Sequence, residues 1–193
     1  MRTITIVESL TLDGVMQAPA GKDEDTRGGF EHGGWAQPYG DEVIGREMGK
    51  DMGSTELLFG RRTYEQFASY WPTAPRPNPF SEVLDRTPKH VVSNTLKEPL
   101  PWVNSTVLAG DAETTVAELK AADGPNLVIL GSGELVRTLL QRGLVDHMTL
   151  LVHPLVLGSG KHLFPDAGSL AKFKLVDAIP STSGVLITTY ETA

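Results

Sequence analysis

The sequence predicts an α/β fold with a central mixed, mostly parallel β-sheet flanked by helices and extended by antiparallel C-terminal strands. Two observations carry this prediction. Short β-rich runs alternate with helix-compatible segments between residues 41 and 143, the pattern of parallel strands joined by crossover helices. After residue 145 strand follows strand, as added antiparallel strands require. No repeat, low-complexity tract or interdomain linker interrupts the pattern, so residues 1–193 are expected to form a single domain.

The β-rich runs are TITIVESL (3–10), ELLFG (56–60), KHVVSN (89–94), STVLA (105–109), NLVILG (126–131), HMTLLVHPLVL (147–157), FKLVDAIP (173–180) and GVLITTYE (184–191). A first helix is predicted over 41–52, where Val43, Ile44, Met48 and Met52 fall at near-helical spacing, although Gly45 and Gly49 weaken it. A second, 63–70, stops before Trp71-Pro72. A third, 111–122, opens on Asp111 as a cap and ends near Gly124-Pro125. A fourth, 133–143, sets Leu135, Val136, Leu139 and Leu140 on one face and has Gly143 as its stop. Residues 17–40 read as a long Gly/Pro/Asp-rich loop, and loops of that length within a compact domain are commonly functional.

Composition narrows the function. A net charge of −7 argues against a general nucleic-acid binder, which needs clustered positive charge. The absence of cysteine excludes disulfides, thiolate nucleophiles and Cys-based metal sites. His32, His90, His147, His153 and His162 form no HExxH or comparable set, so no metal is expected. A Ser-His-Asp hydrolase fails for want of a GxSxG elbow. MRTITIVESL lacks the features of a signal peptide and no apolar run reaches membrane-spanning length. No membrane association and a cytoplasmic location are therefore expected.

Parallel sheets bind ligands beyond the carboxyl ends of their strands, where helix N-termini present free N–H groups. Two joints satisfy that grammar. Gly60-Arg61-Arg62-Thr63 offers close backbone approach, a charged fork and a hydroxyl. Gly131-Ser132-Gly133-Glu134 follows NLVIL and precedes an amphipathic helix, but lacks the full GxGxxG pattern. Each alone is equally an ordinary glycine turn with solvated arginines; two together favour binding. Ser93-Asn94-Thr95 ends a further strand, with simple turn chemistry as its alternative.

SLTLDGVMQAP, LLFGRRTYEQFASYWP, TPKHVVSNTL, LVILGSGELVRTLL and GLVDHMTLLVHPLVLGSGKHLF stand here in the order found in the dihydrofolate-reductase-like superfamily. From about Arg2 to Tyr190 the chain resembles the reductase domain of the riboflavin-biosynthesis deaminase–reductase, the RibD C-terminal family. The resemblance implies a dihydrofolate-reductase-like three-layer fold that binds NADPH along the strand ends. It implies that Gly60, Arg61, Arg62 and Thr63 hold the cofactor's phosphates, one arginine lying near the 2′-phosphate. Ser93 and Asn94 would lie by the adenosine, and Gly131, Ser132, Gly133, Glu134 and Leu135 by the pyrophosphate and nicotinamide ribose. Asp13 and Gly14 would sit close to the nicotinamide. Gly158-Ser159-Gly160-Lys161 looks like a phosphate loop, but no clear helix follows. The resemblance makes it a turn after a strand that contributes to a homodimer interface.

Hydride transfer needs an oriented cofactor and often an acid beside the reducing carbon. Folate reduction would place a carboxylate on the helix before LLFG; there Asp41 and Glu42 lie at the start, while the more internal Ile44 cannot donate. Glu8 is the second candidate acid, because a carboxyl in an apolar strand stays protonated more readily. The plainer readings are a helix cap for Asp41 and an ion pair for Glu8. Phe30, Trp35 and Tyr39, with His32, would stack on a flat substrate, and Gly28, Gly29, Gly33 and Gly34 would let their loop move. The alternative is a surface insertion anchored by Trp35. Trp71 reads as packing, while Lys161 and Arg27 are candidate cations for a substrate phosphate.

The expected function is an NADPH-dependent reductase of a small planar heterocyclic or carbonyl substrate, with 5-amino-6-(5-phosphoribosylamino)uracil reduction as one form. The chain carries no zinc-dependent deaminase half. The competing readings are a dihydrofolate reductase-like activity and a non-catalytic NADP-binding or regulatory homodimer.

Overall fold

The computed structural model describes residues 1–50, 52–164 and 170–193. Its strands are β1 (Ile4–Thr11), β2 (Thr55–Gly60), β3 (Lys89–Val92), β4 (Ser105–Leu108), β5 (Asn126–Leu130), β6 (His147–His153), β7 (Phe173–Pro180) and β8 (Leu186–Thr192). Its helices are α1 (Glu42–Gly49), α2 (Arg61–Tyr70), α3 (Pro79–Arg86), α4 (Ala112–Ala121) and α5 (Gly133–Gln141). The sheet order is β4-β3-β2-β5-β1-β6-β8-β7, the mixed α/β architecture that the sequence predicts. Two compact units divide the chain, Met1–Ile6 with Gly49–Asp146 and Val7–Met48 with His147–Ala193.

In the first unit β2 pairs in parallel with β3 and β5, and β3 in parallel with β4. Strands covered on both faces need unbroken apolar runs, and Leu57, Leu58 and Phe59 are indeed fully buried, as are Leu127 and Ile129. The predicted helix at 63–70 begins two residues earlier, because β2 passes straight into α2 with Gly60 as its N-cap. α5 ends as expected, with Gly143 at φ 63°. Leu144 N–H donates to Leu139 O and Gly143 N–H to Leu140 O, closing a Schellman motif.

Helix α3 is absent from the expectations, yet its signals are ordinary. Asn78 caps it by accepting from Ser81 N–H, Pro79 occupies its first turn, and Leu84 is its buried anchor. It is short and lies in a Pro-rich stretch, which hides the apolar period. Beneath it the Lys89 ammonium donates to Leu84 O and Thr87 O at 2.6 and 2.7 Å and lies 4.5 Å from the centroid of the Trp102 ring. Burial pushes the Lys89 pKa down to about 8.

In the second unit β6, β8 and β7 form an antiparallel ladder, with a bulge between Leu175 and Asp177. The expected strand at 147–157 ends at His153 because Pro154 has no N–H for the ladder. Val43, Ile44 and Met48 of α1 pack with Val7, Tyr39 and Ile179 against Leu151, Val185 and Ile187. The predicted helix at 41–52 is shorter, ending at Gly49; a 3-10 turn covers Met52–Ser54, and Asp51 lies outside the described residues.

The loop at 17–40 has a packed interior. Val15, Ala18, Phe30 and Trp35 form a buried cluster, supported by Ala36, Leu155 and Leu157. Glycines inside and beside it allow close approach: a Cβ on Gly33 would lie 2.1 Å from Lys22 O, and one on Gly160, outside the loop, would lie 2.7 Å from Val15 Cγ1.

Candidate functional site

β2 and β5 are neighbours and run in parallel, so their following helices start side by side at the same end of the first unit. Two hydrogen bonds tie the joints together. Gly60 N–H donates to Ser132 Oγ at 3.1 Å, and Ser132 N–H donates to Thr63 Oγ1 at 3.2 Å. The hydroxyl of each joint thus accepts a backbone N–H of the other.

Neither α2 nor α5 has a side-chain cap: the N-cap of α2 is Gly60, which has no side chain, and the hydroxyl of Ser132, the N-cap of α5, accepts from Gly60 N–H instead. The other helices are capped: Asp41 accepts from Ile44 N–H in α1, Asn78 from Ser81 N–H in α3, and Asp111 from Thr114 N–H in α4. First-turn N–H groups have no intrahelical partner and carry the positive end of the helix dipole. Two such ends side by side form an electropositive cradle suited to an anion.

Backbone conformation sharpens the second joint. Gly131 and Ser132 both have φ of 61°, and Ser132 has ψ of 36°, a left-handed geometry that strains a residue with a side chain. Glycine serves that geometry at 131. At Gly60 the backbone is extended and an added Cβ would make only 3.7 Å contacts, so glycine is not sterically required there.

Both arginines already have acidic partners. Arg61 Nη1 lies 3.0 Å from Glu65 Oε2 along the same helix, while Arg62 Nη1 lies 2.9 Å from Glu134 Oε2 of the other joint. The latter pair escapes sequence reading, because its members are 72 residues apart. Leu135 is buried behind the first turn of α5, and Gly133 opens that helix.

Ser93 and Asn94 follow the adjacent β3, at the same end of the parallel strands, but the Ser93 side chain serves the local turn and that of Asn94 ties it to Gly110 beyond β4. Ser93 Oγ accepts from Thr95 and Leu96 N–H at 3.2 and 3.1 Å. The Asn94 amide donates to Gly110 O and accepts from Gly110 N–H, at 3.0 and 2.7 Å.

The remaining candidates belong to the second unit. Gly14, at φ 78°, follows Asp13 in the turn that leaves β1. The Asp13 carboxylate accepts from the Thr11 hydroxyl and from Leu157 and Gly158 N–H. The Thr11 bond foremost, with those amides and against a desolvation penalty, lowers its pKa to about 2. The phosphate-loop-like segment at 158–161 is thus held by an internal carboxylate. Lys161 Nζ lies 3.2 Å from Asp25 Oδ2, and Arg27 also pairs with Asp25.

Of the candidate acids, Glu8 is 4% exposed on the inward-facing alternation of β1. Asp41 is engaged as a cap: beyond Ile44 N–H, its carboxylate accepts from Thr182 Oγ1 at 2.8 Å and Ser183 N–H at 2.9 Å. These bonds, that of Ile44 first, hold it well below the usual carboxylate range, which leaves it no proton to give near neutrality.

Phe30 and Trp35 are buried, at 6% and 7% exposure, and the Trp35 indole N–H donates to Gln17 O at 2.7 Å. Trp35 and Tyr39 meet the ring of His153 edge-on, with centroids 5.1 and 5.5 Å away. His153, unassigned by sequence reading, is 3% exposed, and Nδ1 lies 2.9 Å from Leu151 O. Burial pushes its pKa down, against the bonds to Leu151 O and Leu10 O. His32 is exposed and meets Phe30 edge-on at 5.7 Å. Among the described residues no three histidines or carboxylates come together as a metal site, and no helix is long and apolar enough to cross a membrane.

Comparison with known proteins agrees with the architecture. The chain is 30% identical over 156 residues to the uncharacterized protein YyaP of Bacillus subtilis (strain 168), covering 74% of this chain and 80% of that one. A putative riboflavin biosynthesis protein from Shewanella sp. PV-4 superposes with a TM-score of 0.69 at 21% identity, over 99% of both chains. Dihydrofolate reductase from Enterococcus faecalis, complexed with NADP(H), superposes with a TM-score of 0.62 at 15% identity, over 98% of this chain and 96% of that one. These superpositions give a dihydrofolate-reductase-like fold. The family model for the RibD C-terminal domain matches residues 2–187, and the chain belongs to that family.

Proposed function

We propose that the chain is a cytoplasmic, NADPH-dependent reductase of a small planar heterocyclic or carbonyl-bearing substrate. The observation that carries the reading is the pair of uncapped helix starts at the ends of β2 and β5, cross-bonded through Ser132 and Thr63 and bordered by Arg61 and Arg62. Membership of the RibD C-terminal family supports it, as does a fold shared with a reductase complexed with NADP(H).

The bound nicotinamide would supply the hydride. Gly60, Arg61, Arg62 and Thr63 would hold phosphate, and the backbone of Gly131, Ser132, Gly133, Glu134 and Leu135 would hold the neighbouring pyrophosphate and ribose. Ser93 and Asn94 keep the adjoining strand end in shape for the adenosine, and Asp13 and Gly14 fix the turn assigned to the nicotinamide side. Glu8 is the proton source we favour, because Asp41 is committed to its cap. Phe30, Trp35 and Tyr39 would shape the substrate-side wall, with His153 bracing Trp35 and Tyr39. A phosphoribosylamino-pyrimidine is the substrate class to test first.

A homodimer through the C-terminal strands belongs to the same proposal, since Leu175, Val176 and Leu186 are 52%, 55% and 43% exposed.

The test is oxidation of NADPH by the purified chain across pterins, ribosylaminopyrimidines and quinones, for wild type and Glu8→Gln. Turnover that falls at least tenfold in Glu8→Gln while NADPH affinity holds supports the assignment. Undiminished turnover in that variant removes Glu8 from the chemistry.

A further inference from the structure

The Arg62–Glu134 contact lies at the two cross-bonded joints, and the role given to it below rests on their reading as an NADPH site. Arg62 stands in the first turn of α2 and Glu134 in the first turn of α5, so their bond spans the mouth shared by the two joints. A single nitrogen, Nη1, donates to both carboxylate oxygens at 3.0 and 2.9 Å, and the side chains are 49% and 59% exposed. The guanidinium fork is therefore not used in the two-nitrogen geometry that makes such pairs strong. An ion pair this exposed shifts an equilibrium by no more than about fivefold. Arg61 differs, because its partner Glu65 lies one turn along the same helix and not on the facing joint.

We propose that Glu134 is an exchangeable latch on Arg62. In the free protein the carboxylate occupies the guanidinium; an incoming dinucleotide bearing a phosphomonoester displaces it. The exchange favours phosphate because a dianion with three acceptor oxygens can engage two guanidinium nitrogens at once. A ribose hydroxyl at the same point carries no charge and cannot displace the carboxylate. The latch thus holds Arg62 over the joint before binding and yields it only to a ligand that bears a phosphomonoester at that point.

The latch predicts a specific coupling. Removing the charge at Glu134 frees Arg62 and tightens binding of the nucleotide that bears the phosphomonoester, leaving the one with a ribose hydroxyl in its place unchanged. If the carboxylate merely repelled anions, its removal would instead tighten both nucleotides, with or without Arg62.

The experiment titrates the full chain with NADPH and NADH in four forms: wild type, Glu134→Gln, Arg62→Met and the double variant. Glu134→Gln is expected to bind NADPH about three- to fivefold more tightly, with NADH unaffected. The gain should vanish in the Arg62→Met background, since a double-mutant cycle isolates the pair. Glu134→Ala should reproduce the gain, which guards against a new bond from glutamine. Unchanged or weaker NADPH binding in Glu134→Gln overturns the latch, and so does an equal gain without Arg62. A wild-type chain that binds neither nucleotide removes the parent reading instead, and the latch with it.

Discussion

Ser132 holds a left-handed backbone conformation that costs about 1 kcal/mol for a residue with a side chain, and its hydroxyl accepts from Gly60 N–H. Ser132→Ala keeps the strain and loses the acceptor, so it should cost about 1 kcal/mol in urea unfolding and weaken nucleotide binding. Ser132→Gly loses the same bond but relieves the strain, so its stability should stay near that of wild type while binding weakens equally. A stability loss in the glycine variant as large as in the alanine variant would show that strain plays no part. Asp13 offers a test by pH. Its folded-state pKa of about 2 lies below its ordinary 3.8, so its contribution to stability is fully present above that ordinary value and is lost as pH falls through about 2. Asp13→Asn should reduce the fall in stability between pH 4 and pH 2, which acid titration followed by circular dichroism would measure. An identical acid profile in the variant would contradict the hydrogen-bonded role given to Asp13.

In the proposed function, helix starts divide by task. The caps of α3 and α4 hold structure, so Asn78→Ala and Asp111→Ala should each lower stability by about 1 kcal/mol and leave nucleotide affinity unchanged. Loss of affinity in either variant would break the division between structural and ligand-facing ends. The elements legible in the sequence are those with local cues. NLVIL and ELLFG announce buried strands, and the glycines after them announce the joints. Helix α3 escapes such reading although Asn78-Pro79 marks its start, since the surrounding prolines mask its short period. The burial of Phe30 and Trp35 is hidden for a different reason. Their loop is polar and glycine-rich by composition, and its packing depends on close approaches at Gly33 and Gly160 that only the fold reveals. The bond from Gly60 to Ser132 joins residues 72 apart, so no local pattern encodes it.

At the scale of the whole molecule, the proposed site would have a chain of net charge −7 draw an anionic ligand to a local cradle against its own average field. Nucleotide affinity should therefore depend on salt through the few charges at the joints, Arg61 and Arg62 foremost. Assembly is separable from this chemistry. Val176→Asp, on the exposed edge strand β7, should shift a homodimer to monomer in sedimentation while the joints keep their nucleotide affinity. A chain that is monomeric before the substitution would contradict the proposed dimer. The central claim is that the two uncapped helix starts form a site for a phosphorylated dinucleotide. Titration of the purified chain with NADPH and NADH, followed by nucleotide fluorescence, tests it most directly. Saturable binding at least tenfold tighter for NADPH is expected, with the preference lost in Arg62→Met. Equal affinities would contradict the phosphate-reading role of the arginines, and no binding of either nucleotide would contradict the site itself.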